Sequence, residues 1–158
     1  MRILACDSGV ERTGYAIFDT AKKGNRLVAY DCIFTEKNRT LAQRLHEIEI
    51  RLQGLIETYK PKTIVIEKLF FQSNQTTGIM VAQAQGVLLA LAGKHNIEVV
   101  FLAPTEVKHI VTGYGKSDKI AVRKMLTLLL GIDERLKNDD VADAIACGLA
   151  YCTVNKLI

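Results

Sequence analysis

Residues 63–66, Thr-Ile-Val-Ile, are all β-branched, and the acid Glu67 follows directly. Side chains that are stiff at χ1 suit a pleated sheet. An unbroken run of them, without polar alternation, fits a central strand covered on both faces. The chain must therefore supply helices for both sides of a sheet. Ile3-Leu4-Ala5-Cys6 is a second apolar run, and it too ends on an acid, Asp7. A carboxylate next to a buried strand is poorly placed unless something compensates its charge. Two such strand ends constrain the architecture and point to a chemical purpose at the same place.

The remaining pattern fills in the layers. Gly14 to Asp19 and Leu27 to Phe34 read as strands. With Ser8-Gly9 and Lys23-Gly24-Asn25 as turns, they join the first strand in an antiparallel meander. Thr40-Leu41-Ala42-Gln43 is a capping-box pattern. It opens an amphipathic helix with Leu41, Leu45, Ile48, Leu52, Leu55 and Tyr59 on one face, ending before Pro61. A second helix is expected over residues 73–94, with Gly78, Ala82, Gly86 and Ala90 on one face. Glu98 to Leu102 reads as the fifth strand. Three helices follow: one opened by Thr105, one capped by Ser117, and one capped by Asn138 or Asp139. The order βββαβαβ followed by helices describes an α/β fold: a five-stranded mixed sheet, antiparallel meander plus parallel strands, flanked by helices. At 158 residues the whole chain, 1–158, is expected to form a single domain.

Composition excludes several classes. Hydrophobic content of 49% with 24% charged residues is ordinary for a globular chain. The N-terminus lacks an apolar run of signal-peptide length. The most apolar stretch, Ile79 to Ala92, is interrupted by Gln83 and Gln85 and is shorter than a span needs. A cytoplasmic protein with no membrane association is the expectation. None of Cys6, Cys32, Cys147 and Cys152 forms a C-x-x-C pair, so zinc is not expected, and free buried thiols are. His46, His95 and His109 are isolated and read as incidental. Net charge is only +4, but Lys108, Lys116, Lys119, Arg123 and Lys124 face a single acid, Asp118, in one stretch. That stretch is either a footprint for a polyanion or a solvated helix face.

Asp140 and Asp143 lie one helical turn apart and share a helix face. Any one of these acids alone is equally at home as an N-cap or a surface charge. The set is different. If the first and fourth strands are parallel neighbours, Asp7 and Glu67 stand side by side. A helix face carrying Asp140 and Asp143 could then complete a four-carboxylate site. Hard oxygen ligands suit Mg²⁺. Two such ions can serve both ends of an in-line phosphodiester displacement.

Five segments extend this reading: Asp7-Ser8-Gly9 with Thr13-Gly14-Tyr15, Ile66-Glu67-Lys68-Leu69-Phe70, Gln83-Ala84-Gln85-Gly86, Gly113 through Lys119, and Asp140-Val141-Ala142-Asp143-Ala144. In this order and over nearly the whole chain, they closely resemble the RuvC family of bacterial Holliday-junction resolvases. The family's first loop usually has proline where this chain has Ser8. The resemblance implies an RNase H-like fold, a homodimer, and Mg²⁺-dependent symmetric nicking of two strands of a four-way (Holliday) DNA junction during recombination and repair. It implies two Mg²⁺ ions per active site, with Mn²⁺ as a substitute, held by Asp7, Glu67, Asp140 and Asp143. It makes Lys119 a catalytic lysine and Lys108 a second lysine needed for cleavage. Phe70 matches an aromatic that stacks on an unpaired base; simple core packing is the bland alternative. Lys116 and Arg123 join Lys108, Lys119 and Phe70 as DNA-binding candidates. The helix around Gly78–Ala90 matches the dimer element, and the branch-migration proteins RuvA and RuvB are partners by resemblance.

Other readings use part of the same residues. Another RNase H-fold nuclease, such as a ribonuclease H or an integrase-like enzyme, would share the carboxylates. An actin- or sugar-kinase-like phosphotransferase would share Asp7-Ser8-Gly9 and Thr13-Gly14, but needs two lobes. A non-enzymatic junction-binding module would need the basic stretch and no carboxylates.

Overall fold

The computed structural model describes all residues except 22–23, 70–74, 134–135, 137 and 156–158. Five strands are present: β1 (Arg2–Asp7), β2 (Arg12–Ala21), β3 (Gly24–Phe34), β4 (Thr63–Glu67) and β5 (Glu98–Leu102). The helices are α1 (Leu41–Tyr59), α2 (Gln75–His95), α3 (Pro104–Thr112), α4 (Lys119–Leu130) and α5 (Asp139–Val154). The strands form a mixed sheet in the order β3-β2-β1-β4-β5. β1–β2 and β2–β3 pair antiparallel, while β1–β4 and β4–β5 pair parallel. The two acid-terminated apolar strands are thus neighbours within the sheet, with β2, β3 and α1 between them in the chain.

Period-2 alternation divides the sheet into two cores. Leu4, Cys6, Ile17, Ile33, Ile64 and Ile66 face α1 and α2, meeting Ile48, Leu52, Leu88 and Leu91. Ile3, Ala5, Ala16, Phe18 and Val65 face the other way, against α3, α4 and α5. Each large apolar side chain so buried contributes about 1.5–3 kcal/mol. α5 is the most enclosed helix: Val141, Ala142 and every residue from Ala144 to Cys152 are buried. It can lie this close because glycines replace side chains at the contact. A β-carbon on Gly14 of β2 would stand 2.8 Å from the Val141 nitrogen and closer still to the Asp140 carbonyl. One on Gly148 would run into the Phe18 ring.

Local chemistry sets the ends of the helices. Thr40 Oγ1 accepts from the Gln43 N–H at 3.2 Å, and Gln43 Oε1 accepts from the Thr40 N–H at 3.0 Å. Lys60, left-handed at φ 49°, closes α1 ahead of Pro61. Two expectations are corrected here, and one open choice is decided. α3 starts at Pro104, with Ala103 rather than Thr105 ahead of it, because proline suits the first helical position. Asp118, not Ser117, caps α4, accepting from the Ala121 N–H at 2.8 Å. The Ser117 hydroxyl instead donates to the Tyr114 carbonyl. Asn138 caps α5 through the Asp140 N–H at 2.9 Å, which leaves Asp139 as the first helical residue.

β2 and β3 extend further than their apolar pattern, since backbone pairing also carries the polar residues Arg12, Thr13, Asn25 and Arg26. α2 is long and apolar enough to cross a membrane by length and composition, contrary to the sequence expectation. Its buried Leu88 and Leu91 pack in the α1–α2 core. All four cysteines are free and buried.

Candidate active site

The parity that divides the cores also aims the acids. Asp7 continues the Ile3–Ala5 face of β1, and Glu67 continues the Val65 face of β4. Pairing runs to Cys6–Ile66, so the two acids are the next residues out on adjacent strands. Both point to the α5 side, where Asp140 and Asp143 occupy the first turns of the helix.

The charges feel one another. Burial pushes Asp7 up to about 8, with Asp143, Glu67 and Asp140 adding repulsion and Lys119 opposing. Burial and then Asp143 raise Glu67, against Lys108 and Lys119. Burial raises Asp143 too, while Lys119 holds it down. Partial burial works against the charge on Lys119, but Asp143 and Asp139 push it up on balance. Cations engage the helix carboxylates. Lys119 Nζ is 3.4 Å from Asp143 Oδ2 and 3.3 Å from Asp139 Oδ2. Arg123 Nη2 pairs with Asp139 Oδ1. Arg12 Nε lies 3.1 Å from Asp140 Oδ2, in an alignment that leaves that buried oxygen without a hydrogen bond. No three Asp, Glu, His or Cys side chains form a ready-made metal cluster among the described residues.

A cleft of about 500 Å³ opens over Asp7 and Glu67, walled by Ser8, Lys68, Gln85, Thr105 and Lys108. A smaller hollow of about 230 Å³ shares Glu67 and Lys108 and adds Lys119 and Asp143. The fold thus gathers Asp7, Glu67, Asp140, Asp143, Lys108 and Lys119 at one end of the sheet. Arg123 sits at the rim, bound to Asp139. Lys116 is exposed in the α3–α4 connection and does not line the cleft. Phe70 lies outside the described residues.

Sequence reasoning gave no role to Gln85, Arg12 or Asp139 as an ion-pair partner. Gln85 is 8% exposed, and its Nε2 donates to the Glu67 carbonyl at 3.0 Å, pinning the end of β4 from α2. The available sign was an amide inside an apolar helix. Arg12 and Asp139 gave none, because their partners are tertiary.

Comparison with known proteins gives a consistent picture. The family model described as crossover junction endodeoxyribonuclease RuvC matches residues 3–151. The RuvC of Petrotoga mobilis is 41% identical over 157 residues, covering 98% of this chain and 94% of its own. That of Pseudothermotoga lettingae is 38% identical, covering 99% and 97%. Among solved structures, Thermus thermophilus RuvC in complex with Holliday junction substrate superposes with a TM-score of 0.91, at 23% identity, over 99% of this chain and 96% of that one. The yeast mitochondrial Holliday junction resolvase Ydc2 gives 0.67 at 15% identity, over 96% and 78%. These neighbours carry the RNase H-like fold, and the architecture above is that fold. On the family match and the whole-length identity, the chain belongs to the crossover junction endodeoxyribonuclease RuvC family.

Proposed function

We propose that this chain is a single-domain, structure-selective endonuclease that resolves four-way (Holliday) DNA junctions by symmetric nicking of two strands in recombination and repair. The observation that carries the mechanism is the meeting of Asp7 and Glu67, on adjacent strand ends, with Asp143 of α5 at hollows walled by Lys108 and Lys119, and with Asp140 near enough to raise Asp7. The donor set fits a hard divalent cation. Asp7, Glu67 and Asp143 are all raised by burial and by neighbouring acids, and one Asp140 oxygen is buried without a hydrogen bond. These four side chains would hold Mg²⁺, or Mn²⁺ in its place. When bound, such ions supply charge stabilisation at both ends of an in-line phosphodiester displacement.

The rest of the work belongs to the protein. Lys119 stands where an ammonium can donate to a phosphate oxygen as charge develops on it. Lys108 fixes the strand in the cleft, and Lys116 and Arg123 add backbone contacts that position the junction without reading sequence. Phe70 stacks on a base exposed at the crossover. Gln85 holds the end of β4 so that Glu67 keeps its place beside Asp7. A homodimer forms through α2, whose outward side exposes Ile79, Ala82, Gly86, Leu89 and Ala90. Gly78, expected on that stripe, is buried instead. A two-fold axis there gives two equivalent sites for two equivalent strands. RuvA and RuvB are the partners that the family membership suggests, in a cytoplasmic setting.

The test is a synthetic four-way junction, incubated with and without Mg²⁺, with nicks mapped on all four strands. Paired nicks at symmetric positions, dependent on Mg²⁺, are expected. Equal cleavage of plain duplex or of an RNA–DNA hybrid would move the reading to another RNase H-fold nuclease.

A further inference from the structure

Two of the basic side chains assigned to DNA are already engaged by one acid. Asp139 Oδ2 lies 3.3 Å from Lys119 Nζ, and Asp139 Oδ1 pairs with Arg123 Nη2. Lys119 is also shared with Asp143 at 3.4 Å, but Arg123 has Asp139 as its acidic partner among the described residues. Asp139 does not cap its helix, since Asn138 does so. Its side chain is half exposed, so it stands at the mouth of the site rather than in its floor. A phosphate approaching Lys119 and Arg123 must take them from this carboxylate.

Resting on the junction-nuclease reading, we propose that Asp139 is a positioning residue that competes with DNA phosphates for Lys119 and Arg123. It lowers affinity for the junction and for the nicked product, and so favours release. The physical basis is ion exchange. Each phosphate engaged by a cation releases a condensed counterion. A lysine or arginine already neutralised by a carboxylate returns less on engagement. Exposed ion pairs are individually weak, so the carboxylate tunes binding and does not block it. It also holds both cations at the cleft mouth while DNA is absent.

The experiment uses fluorescence anisotropy of a labelled four-way junction, without divalent ion, across a salt series. Asp139→Asn keeps the side-chain size and removes the charge. Binding should tighten by about 3- to 10-fold at low salt, and the slope of log affinity against log salt should steepen by about 1 to 2. Glu49→Gln, on the far side of the molecule, removes the same charge as a control and should change neither reading. In a Lys119→Ala, Arg123→Gln background the gain from Asp139→Asn should vanish. No gain on Asp139→Asn in a folded protein, an equal gain on Glu49→Gln, or a full gain in the double-variant background would overturn the proposal. Wild-type protein that fails to bind the junction at all would overturn it together with the functional reading beneath it.

Discussion

Gly14 is the point at which the sheet admits α5, and a single methyl group there should separate the two halves of the candidate site. A β-carbon at Gly14 would stand 2.8 Å from the Val141 nitrogen, where ordinary contact begins at 3.4 Å, and nearer still to the Asp140 carbonyl. Both neighbours are main chain, so neither can swing aside. The start of α5 must retreat by about 1 Å or more, carrying Asp140 and Asp143 with it. Asp7 and Glu67 stay behind, fixed by the β1–β4 ladder. Forced overpacking of this kind costs about 1–3 kcal/mol. Misplacement of reacting groups by about 1 Å can cost about 100-fold in rate. Gly14→Ala should therefore melt at a lower temperature and cleave junctions about 100-fold more slowly, even well below its melting point. Thermal melting by circular dichroism and single-turnover cleavage at saturating protein measure the two effects separately. Wild-type cleavage by a folded Gly14→Ala protein would refute the idea that this close approach sets the carboxylate geometry.

The other expectations concern charge, association and stacking. Asp7→Asn should abolish cleavage and leave junction binding largely intact, as read by nick mapping and gel shift. The same substitution should change the pH dependence of stability. Burial, Asp143 and Glu67 hold Asp7 up to about 8, against about 3.9 in an unfolded chain. The folded metal-free protein therefore keeps a proton that the unfolded chain gives up, and its stability falls as pH rises from about 4 to about 8. Melting in chelator should show Asp7→Asn with a flatter slope, and more stable than wild type at the upper end. A β-carbon at Gly86 would meet nothing within 4 Å, so Gly86→Leu should fold normally yet be monomeric by light scattering; a folded, fully dimeric variant would exclude this side of α2 as the interface. Phe70→Ala should impair intact junctions most and be partly rescued by unpaired bases at the crossover. Stacking of one base is worth about 1–3 kcal/mol. Lys119→Ala, an electrostatic loss, should gain nothing from those bases.

What the sequence made legible was local or periodic. The β-branched run before Glu67 and the apolar run before Asp7 announced central strands. The Thr40–Gln43 capping box and Pro61 bounded α1 to within a residue. A parallel β1–β4 pair was a condition the sequence allowed, and the structure meets it, with the juxtaposition of Asp7 and Glu67 that depended on it. What escaped notice depends on contacts across the fold. Ser117 and Asp118 are both good caps by composition, and only the hydroxyl's bond to the Tyr114 carbonyl decides between them. The pairing of Asp139 with Lys119 and Arg123 needs α4 and α5 side by side. Gly14 reads only as the start of a strand until the start of α5 is seen resting on it. Gly78 shares a spacing with Ala82, Gly86 and Ala90, but burial separates it from them.

The two cores on opposite faces of the sheet have a consequence for how such a chain can change over time. Substitutions on the outward side of α2 alter the proposed dimer face without touching the α5 layer, where Gly14 and Gly148 leave little latitude in side-chain size. The two surfaces can thus diversify at different rates. The exception is Gln85, which reaches from α2 to the main chain of Glu67 at 3.0 Å. Through that amide, a remodelled α2 surface is felt as a shift in backbone position at the strand end that carries Glu67, not as a change in its charge.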